Sequence, residues 1–360
     1  MASRSSGRFR RRQAPTIALA GAGYISVVHA LAAQAAAMKV SAVASRGGSS
    51  ARHLAGELEA RKVAIDALPA GADVLIVATP PDSHVPIALQ GLAAGASVLV
   101  EKPLATTLAG ADRLVDAAGA DAVADADDGP VLRCAENLLH SPIWREAMLR
   151  RPALGALSHL SLRTMQSPPD WGHFKEPLTA GGVLFDLGPH PLALALGLAD
   201  EAPVGVGATL RSSRDDGADD EASVQLRFES GLTATIEVSW VSEQTEWQAQ
   251  AASDTGVLVL ELFPDVRLEH DGEPVEWSLR HEAVDPALEQ FGYVDQLLDL
   301  VADDPSRPGQ SAADARTVLE IICAAYASAG DAGAEVALPF QGDRTLTPLA
   351  LWKGRDIVGV

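Results

Sequence analysis

Asp186 and His190 stand four residues apart in Gly181-Gly182-Val183-Leu184-Phe185-Asp186-Leu187-Gly188-Pro189-His190, a spacing that puts both side chains on one face of a helix. An imidazole that titrates near neutrality can take a hydroxyl proton, and a neighbouring carboxylate can orient it and support its cationic form. That pairing suits a general acid/base. The plain alternative is a helix histidine held by a capping Asp. Pro189 and Pro191 flank His190, and a proline inside a helix removes a hydrogen bond and crowds the preceding turn, so distortion of the pair is an expectation to check. With no second histidine or third carboxylate at ligand spacing, no metal site is expected.

A second group of residues suits a dinucleotide. Ile17-Ala18-Leu19-Ala20-Gly21-Ala22-Gly23-Tyr24-Ile25-Ser26 places two glycines where an apolar run meets a helical one. There the backbone of Gly21, Gly23, Tyr24 and Ile25 can approach a pyrophosphate closely, on the exposed N–H groups of the helix start. The third glycine position of such a fingerprint holds Ser26, and the motif alone is a weak signal. About 20 residues on, where Asp or Glu usually meets the ribose hydroxyls, the chain offers Ser45-Arg46. A carboxylate would repel a 2′-phosphate, whereas a hydroxyl and a guanidinium can bind it, so NADP(H) is the expected preference with NAD(H) possible. A solvated loop arginine is the bland alternative.

The elements needed to hold these groups are visible. From Thr16 to Glu136 short apolar runs alternate with Ala-rich helical stretches, the pattern of a doubly wound parallel sheet. Strands are expected at Thr16 to Ala20, Lys39 to Ala44, weakly near Val63, Asp73 to Thr79, Ser97 to Val100 and Val131 to Glu136, with helices at Tyr24 to Ala36, Ser50 to Ala60, Ser83 to Ala94 and Leu108 to Ala118. Beyond a helix at Pro142 to Arg150, strands of alternating polarity follow at Ser158 to Thr164, Val204 to Arg211, Ala222 to Phe228, Thr233 to Trp240, Trp247 to Ala252, Gly256 to Phe263 and Pro274 to Leu279. Their hairpin-length links imply a mostly antiparallel sheet. Helices at Pro286 to Ala302 and Ser311 to Ala327 and a short run at Glu335 to Phe340 close the chain. The expected fold is α/β: an N-terminal Rossmann domain (15–136) and a C-terminal α+β domain with an open antiparallel sheet (137–345), between a disordered basic tail (1–14) and a C-terminal tail (346–360).

Composition narrows the class. The 360 residues, 47% hydrophobic, can bury a large core, and the formal net charge of −20 disfavours nucleic acid and anionic membranes as partners. Five arginines in the first fourteen residues have no apolar periodicity around them and read as a tail. Thr16 to Met38 lacks Asp, Glu, Lys and Arg, yet it is Ala- and Gly-rich and better explained as strand, turn and helix than as a membrane span or export signal. Cys134 and Cys323 lie far apart without CxxC spacing, which suits a reducing, cytoplasmic setting.

Two more stretches fall at carboxyl ends of expected parallel strands, where open α/β sheets bind ligands: Thr79-Pro80-Pro81-Asp82-Ser83-His84 and Glu101-Lys102-Pro103. With the G-G-x-x-x-D-x-G-x-H run, they make the chain resemble the glucose-fructose oxidoreductase / inositol dehydrogenase / MocA (Gfo/Idh/MocA) family from about Thr16 to Phe340. The resemblance implies hydride transfer between a nicotinamide cofactor and a CH–OH or ketone group of a sugar-like or polyol substrate, with Lys102 polarising the reacting oxygen beside Asp186 and His190. It further implies that Thr79, Pro80, His84, Glu101 and Lys102 line the cofactor, that His84 shapes the pocket without doing chemistry, and that Asn137 meets cofactor or substrate. The protein would be a homo-oligomer, a dimer or tetramer. The loop Ser167 to Lys175, with Trp171 and His173, is a candidate lid over the substrate. Two other readings are a glycosidase-type hydrolase that returns its cofactor unchanged and a non-catalytic dinucleotide-sensing regulator, the latter opposed by the presence of Lys102 and His190.

Overall fold

The computed structural model describes residues 14–119, 130–281, 285–302 and 309–354, so nearly all of the expected basic tail lies outside the described residues. The chain begins β1 (Thr16–Ala20), α1 (Tyr24–Ala35), β2 (Lys39–Ala44), α2 (Gly48–Glu57), β3 (Arg61–Lys62), β4 (Val74–Val77), α3 (His84–Ala93), β5 (Ser97–Glu101), α4 (Leu108–Ala118) and β6 (Leu132–Ala135). These strands pair in parallel in the order β6-β5-β4-β1-β2-β3. Every residue of β4 and β5 is buried, as strands covered on both faces require. Strand order reverses between β1 and β4, and a doubly wound sheet takes its ligand in the crevice at that reversal.

Next come α5 (Pro142–Arg150), β7 (Leu157–Met165), α6 (Val183–Asp186), α7 (Pro189–Ala199), β8 (Pro203–Arg211), β9 (Glu221–Phe228), β10 (Thr233–Ser239), β11 (Glu246–Ser253), β12 (Val257–Phe263), β13 (Arg267–His270) and β14 (Glu273–Pro274). The chain closes with α8 (Pro286–Gln290), α9 (Tyr293–Val301), β15 (Gln310–Ser311), α10 (Ala312–Gly330), β16 (Val336–Ala337) and α11 (Pro348–Lys353). The second sheet runs β14-β13-β12-β11-β7-β10-β9-β8-β16, antiparallel except where β7 meets β10. The alternating burial along β9 and β10 is the period-2 pattern that their sequence shows.

Counting described residues only, the chain forms two compact units: one from the chain up to residue 105 with 111–141 and 279–313, the other from 106–110, 142–278 and the chain from 314 onward. The return at 279–313 departs from the single uninterrupted second domain expected from residue 137. Val294, Leu297 and Leu300 of α9 share a core with Ile17, Val40 and Ile76, and β15 pairs antiparallel with β6. An apolar helical stripe shows that a face is buried, not what buries it.

Three local expectations need correction. The helix expected over Pro286 to Ala302 is split at Gly292, whose φ of +80° ends α8; a Cβ there would lie 2.2 Å from the Asn137 carbonyl oxygen. The strand expected at Pro274 to Leu279 does not form beyond its first residue: Pro274 ends β14, the second arm of a hairpin with β13 that turns on Asp271 and Gly272 with φ of +55° and +79°, and residues 275–279 hold no strand. The expected tail contains α11, begun by Pro348 and capped by the Thr347 hydroxyl, with Leu349 and Ala350 packed on Ala218. Thr16 to Met38 forms β1, a turn and α1, and no described helix is long and apolar enough to cross a membrane.

Candidate active site

In the first unit the two motif glycines serve different ends. Gly21 has φ +126° and passes the end of β4 so closely that a Cβ would sit 2.3 Å from the Ala78 carbonyl oxygen. Gly23 has nothing within 4 Å of a notional Cβ and forms the start of α1, which has no side-chain cap and no acidic residue in its first turn. That open, uncapped helix head beside Tyr24 and Ile25 is a cradle with the partial positive charge that a pyrophosphate requires. Ser26, in the third glycine position, is fully buried, and its Oγ has no hydrogen-bond partner among the described residues.

At the end of β2, Ser45 Oγ donates to the Gly47 carbonyl at 2.7 Å, which closes its own loop. Arg46 reaches Asp82 at 3.5 Å with both side chains about two-thirds exposed (67% and 65%). Such a surface pair contributes little to stability, and it leaves a carboxylate beside the guanidinium that was expected to meet a 2′-phosphate.

His84 ties the Thr79 and Pro103 loops together. Buried at the start of α3, it bonds the Thr79 carbonyl through Nε2 at 2.8 Å and the Pro103 carbonyl through Nδ1 at 2.9 Å, while the Thr79 hydroxyl accepts from Ser83. Burial pulls its pKa down against both carbonyl bonds and the charges of Glu101 and Asp82. Both partners are acceptors, so only the imidazolium satisfies both, and burial opposes that form. Pro80 lies in the same turn, directly before the short helical turn Pro81–Ser83.

Glu101, expected beside the cofactor, accepts from two protein donors. Its buried carboxylate accepts from His29 Nε2 of α1 at 2.7 Å and from the Lys102 backbone N–H at 3.1 Å. Burial opposes ionisation, yet the His29 bond and the charges of His29, Lys102 and His84 hold the carboxyl below its usual range. Asn137 also has a long-range protein partner: its Nδ2 donates to the Phe291 carbonyl at 2.7 Å, at the α8–α9 break. In both cases the long-range partner was invisible in the local motif.

The second unit carries the glycine-rich run. Asp186 ends α6 and Pro189 opens α7, while Leu187 and Gly188 between them keep right-handed helical dihedrals. Pro189 occupies a first helical position, where its missing N–H costs nothing, and the His190 N–H reaches back only three residues to Leu187. The prolines thus start a second helix rather than deform a single one, which corrects the expected continuous helix.

Asp219 fixes this run from a distance. Its carboxylate accepts from the Gly182 and Leu184 N–H groups at 2.8 Å each and from the Tyr326 hydroxyl. Burial raises its pKa against the Tyr326 and backbone hydrogen bonds. Gly182 must be glycine, since a Cβ would lie 1.9 Å from the Asp219 carbonyl oxygen. His190 is buried with its ring 5.3 Å from that of Trp247 on β11, which in turn meets Phe263. Trp171 is 45% exposed and set edge-on to Phe174, which also contacts His173 and Trp240, so the expected lid loop is an aromatic cluster around the short turn Gly172–Lys175. His29, Asp219, Tyr326 and Trp247 were not among the sequence candidates. Asp219 had only the faint signal of two adjacent acids before a strand.

Residues 16–124 match the family described as an oxidoreductase family with NAD-binding Rossmann fold, and residues 146–259 match the GFO/IDH/MocA C-terminal domain. Over 302 residues the chain is 30% identical to a protein of Amycolatopsis mediterranei named as the oxidoreductase subunit of a UDP-kanosamine synthase, covering 74% of this chain and 81% of that protein. It is 24% identical to a D-xylose 1-dehydrogenase [NADP(+)] of Haloarcula marismortui over 66% of this chain and 68% of the relative. Among solved structures, GenD2 from gentamicin A biosynthesis, in complex with NAD, superposes with a TM-score of 0.77 at 27% identity, over 94% of this chain and 99% of that one.

Proposed function

This chain belongs to the GFO/IDH/MocA oxidoreductase family, and from that premise we propose that it transfers hydride between a nicotinamide dinucleotide and a CH–OH or ketone carbon of a sugar-like or polyol substrate. The observation that carries the proposal is the open, uncapped head of α1 after Gly21 and Gly23, in the same unit as the Glu101-Lys102-Pro103 loop held by His29 and His84. The relatives support a sugar substrate: one is named as a UDP-kanosamine synthase subunit and another as a xylose dehydrogenase.

When bound, the dinucleotide supplies the carbon that accepts or gives the hydride. Gly21, Gly23, Tyr24 and Ile25 would hold its pyrophosphate on the α1 dipole, and Thr79, Pro80 and His84 would shape the wall beside it. The Lys102 ammonium stabilises negative charge on the reacting oxygen. His190 takes the hydroxyl proton on oxidation and returns it on reduction, with Asp186 orienting its ring and Trp247 backing it. Trp171 and His173 would contact the substrate from their aromatic cluster.

The finer cofactor choice is NADP(H), for Ser45 and Arg46 stand where a ribose acid would otherwise be, and one relative is named for NADP(+) whereas GenD2 was solved with NAD. Parallel titration of the purified protein with NADPH and NADH at fixed salt tests both levels. Tighter NADPH binding that Arg46→Ala abolishes supports the NADP reading; equal affinities remove it, and binding of neither nucleotide removes the oxidoreductase reading.

A further inference from the structure

His29 has no part in the motifs that identify the chain, yet it is fully buried beside the lysine loop. We propose that His29 is a positioning residue: its bond to Glu101 holds the Lys102 backbone and couples α1, the pyrophosphate helix, to the lysine. The inference rests on the reading of Lys102 as the group that meets the reacting oxygen.

The geometry is a chain of contacts. His29 Nε2 donates to Glu101 Oε1 at 2.7 Å, Glu101 Oε2 accepts from the Lys102 N–H at 3.1 Å, and the Pro103 carbonyl meets His84 Nδ1 at 2.9 Å. Lys102 is therefore anchored on both sides, before it by a histidine of α1 and after it by a histidine of α3. An imidazole placed here only to fill space would be a poor choice. Its Nδ1 has no partner among the described residues, and its ring packs edge-on against Tyr293 at 6.0 Å, so an apolar side chain would fill the volume without burying an unpaired nitrogen. What His29 adds is a directed N–H for a carboxylate that otherwise has one backbone donor. The charged or titratable groups acting on that carboxylate are His29 from α1, His84 from α3 and Lys102 after β5, while Tyr293 from α9 senses both Glu101 and Glu136.

The test reads Lys102 directly. Trace acetylation with acetic anhydride, followed at the Lys102 peptide by mass spectrometry between about pH 7 and pH 10, reports the environment of its amine. His29→Leu is expected to change the Lys102 rate by roughly tenfold and shift its pH profile, while the NADPH dissociation constant, read by nicotinamide fluorescence, moves by less than about threefold. His29→Gln, which keeps an amide N–H near the Nε2 position, is expected to restore both. A His29→Leu protein that folds, by circular dichroism, with a Lys102 profile overlaying the wild type overturns the proposal. Should that variant not fold, Glu101→Gln keeps the side-chain volume and must show faster Lys102 acetylation; an unchanged rate overturns the proposal equally. Loss of all nucleotide binding in the wild type would remove the hydride-transfer reading instead, and the Lys102 profiles would still decide the role of His29.

Discussion

Glu101 in the first unit and Asp219 in the second are both buried carboxylates that each accept from backbone N–H groups of a functional segment, but their protonation is driven in opposite directions. Glu101 sits among His29, Lys102 and His84, whose bonds and charges overcome burial and keep it ionised. Asp219 has only neutral donors, the Gly182 and Leu184 N–H groups and the Tyr326 hydroxyl, and burial prevails. Burial acts on both, and the directed His29 bond with the charges beside it outweighs burial only at Glu101. One unit uses its carboxylate to hold a charged loop, the other to cap a glycine turn.

The sharpest way to break this comparison is through the glycines. Gly182→Ala drives a Cβ into the Asp219 backbone and Gly21→Ala into that of Ala78, so each is expected to cost more than about 4 kcal/mol and yield little folded protein on thermal unfolding. Gly23→Ala, with open space around its Cβ, is expected to unfold like the wild type yet weaken NADPH binding by roughly tenfold or more.

Removing the capping carboxylate comes next. Asp219→Ala orphans two N–H groups and a tyrosine hydroxyl, and a loss of about 3 kcal/mol in denaturant melts is expected. A loss near zero would mean that water replaces the carboxylate and that the two units are not comparable.

The pH dependence then separates the two sites. The lowered Glu101 pKa gives stability that is present above its ordinary value of 4.5 and lost as pH falls through the lowered one. The raised Asp219 pKa works in reverse: stability is fullest below its ordinary 3.8 and is lost as pH rises through the raised value. In acid melts the gap between wild type and Glu101→Gln should therefore narrow as pH falls, while that between wild type and Asp219→Asn widens. Parallel slopes would sink the opposite directions of the two pKa shifts. The smallest effect is expected from Tyr326→Phe, about 1 kcal/mol in the same melts, because Asp219 retains both backbone bonds.

Much of the scaffold was legible from local pattern. β1, β2, α4 and α5 have the bounds read from the sequence, since strand and helix periods and flanking glycines act within a few residues. The strand-to-helix glycines and the E-K-P and G-G-x-x-x-D-x-G-x-H runs were also visible, because each packs its chemistry into one short segment. What could not be read were contacts that join distant segments. His29 meets a carboxylate 72 residues away and Tyr326 meets one 107 residues away, neither signalled by spacing. The same holds for Trp247 behind His190, for Gly292 breaking a helix against Asn137, and for α9 and β15 returning to the first core. The sequence by itself determined which faces are apolar and where the backbone must bend. Tertiary structure alone decided which partners each buried carboxylate found, and hence the direction in which its pKa moves, because partner choice depends on long-range packing that no local period encodes.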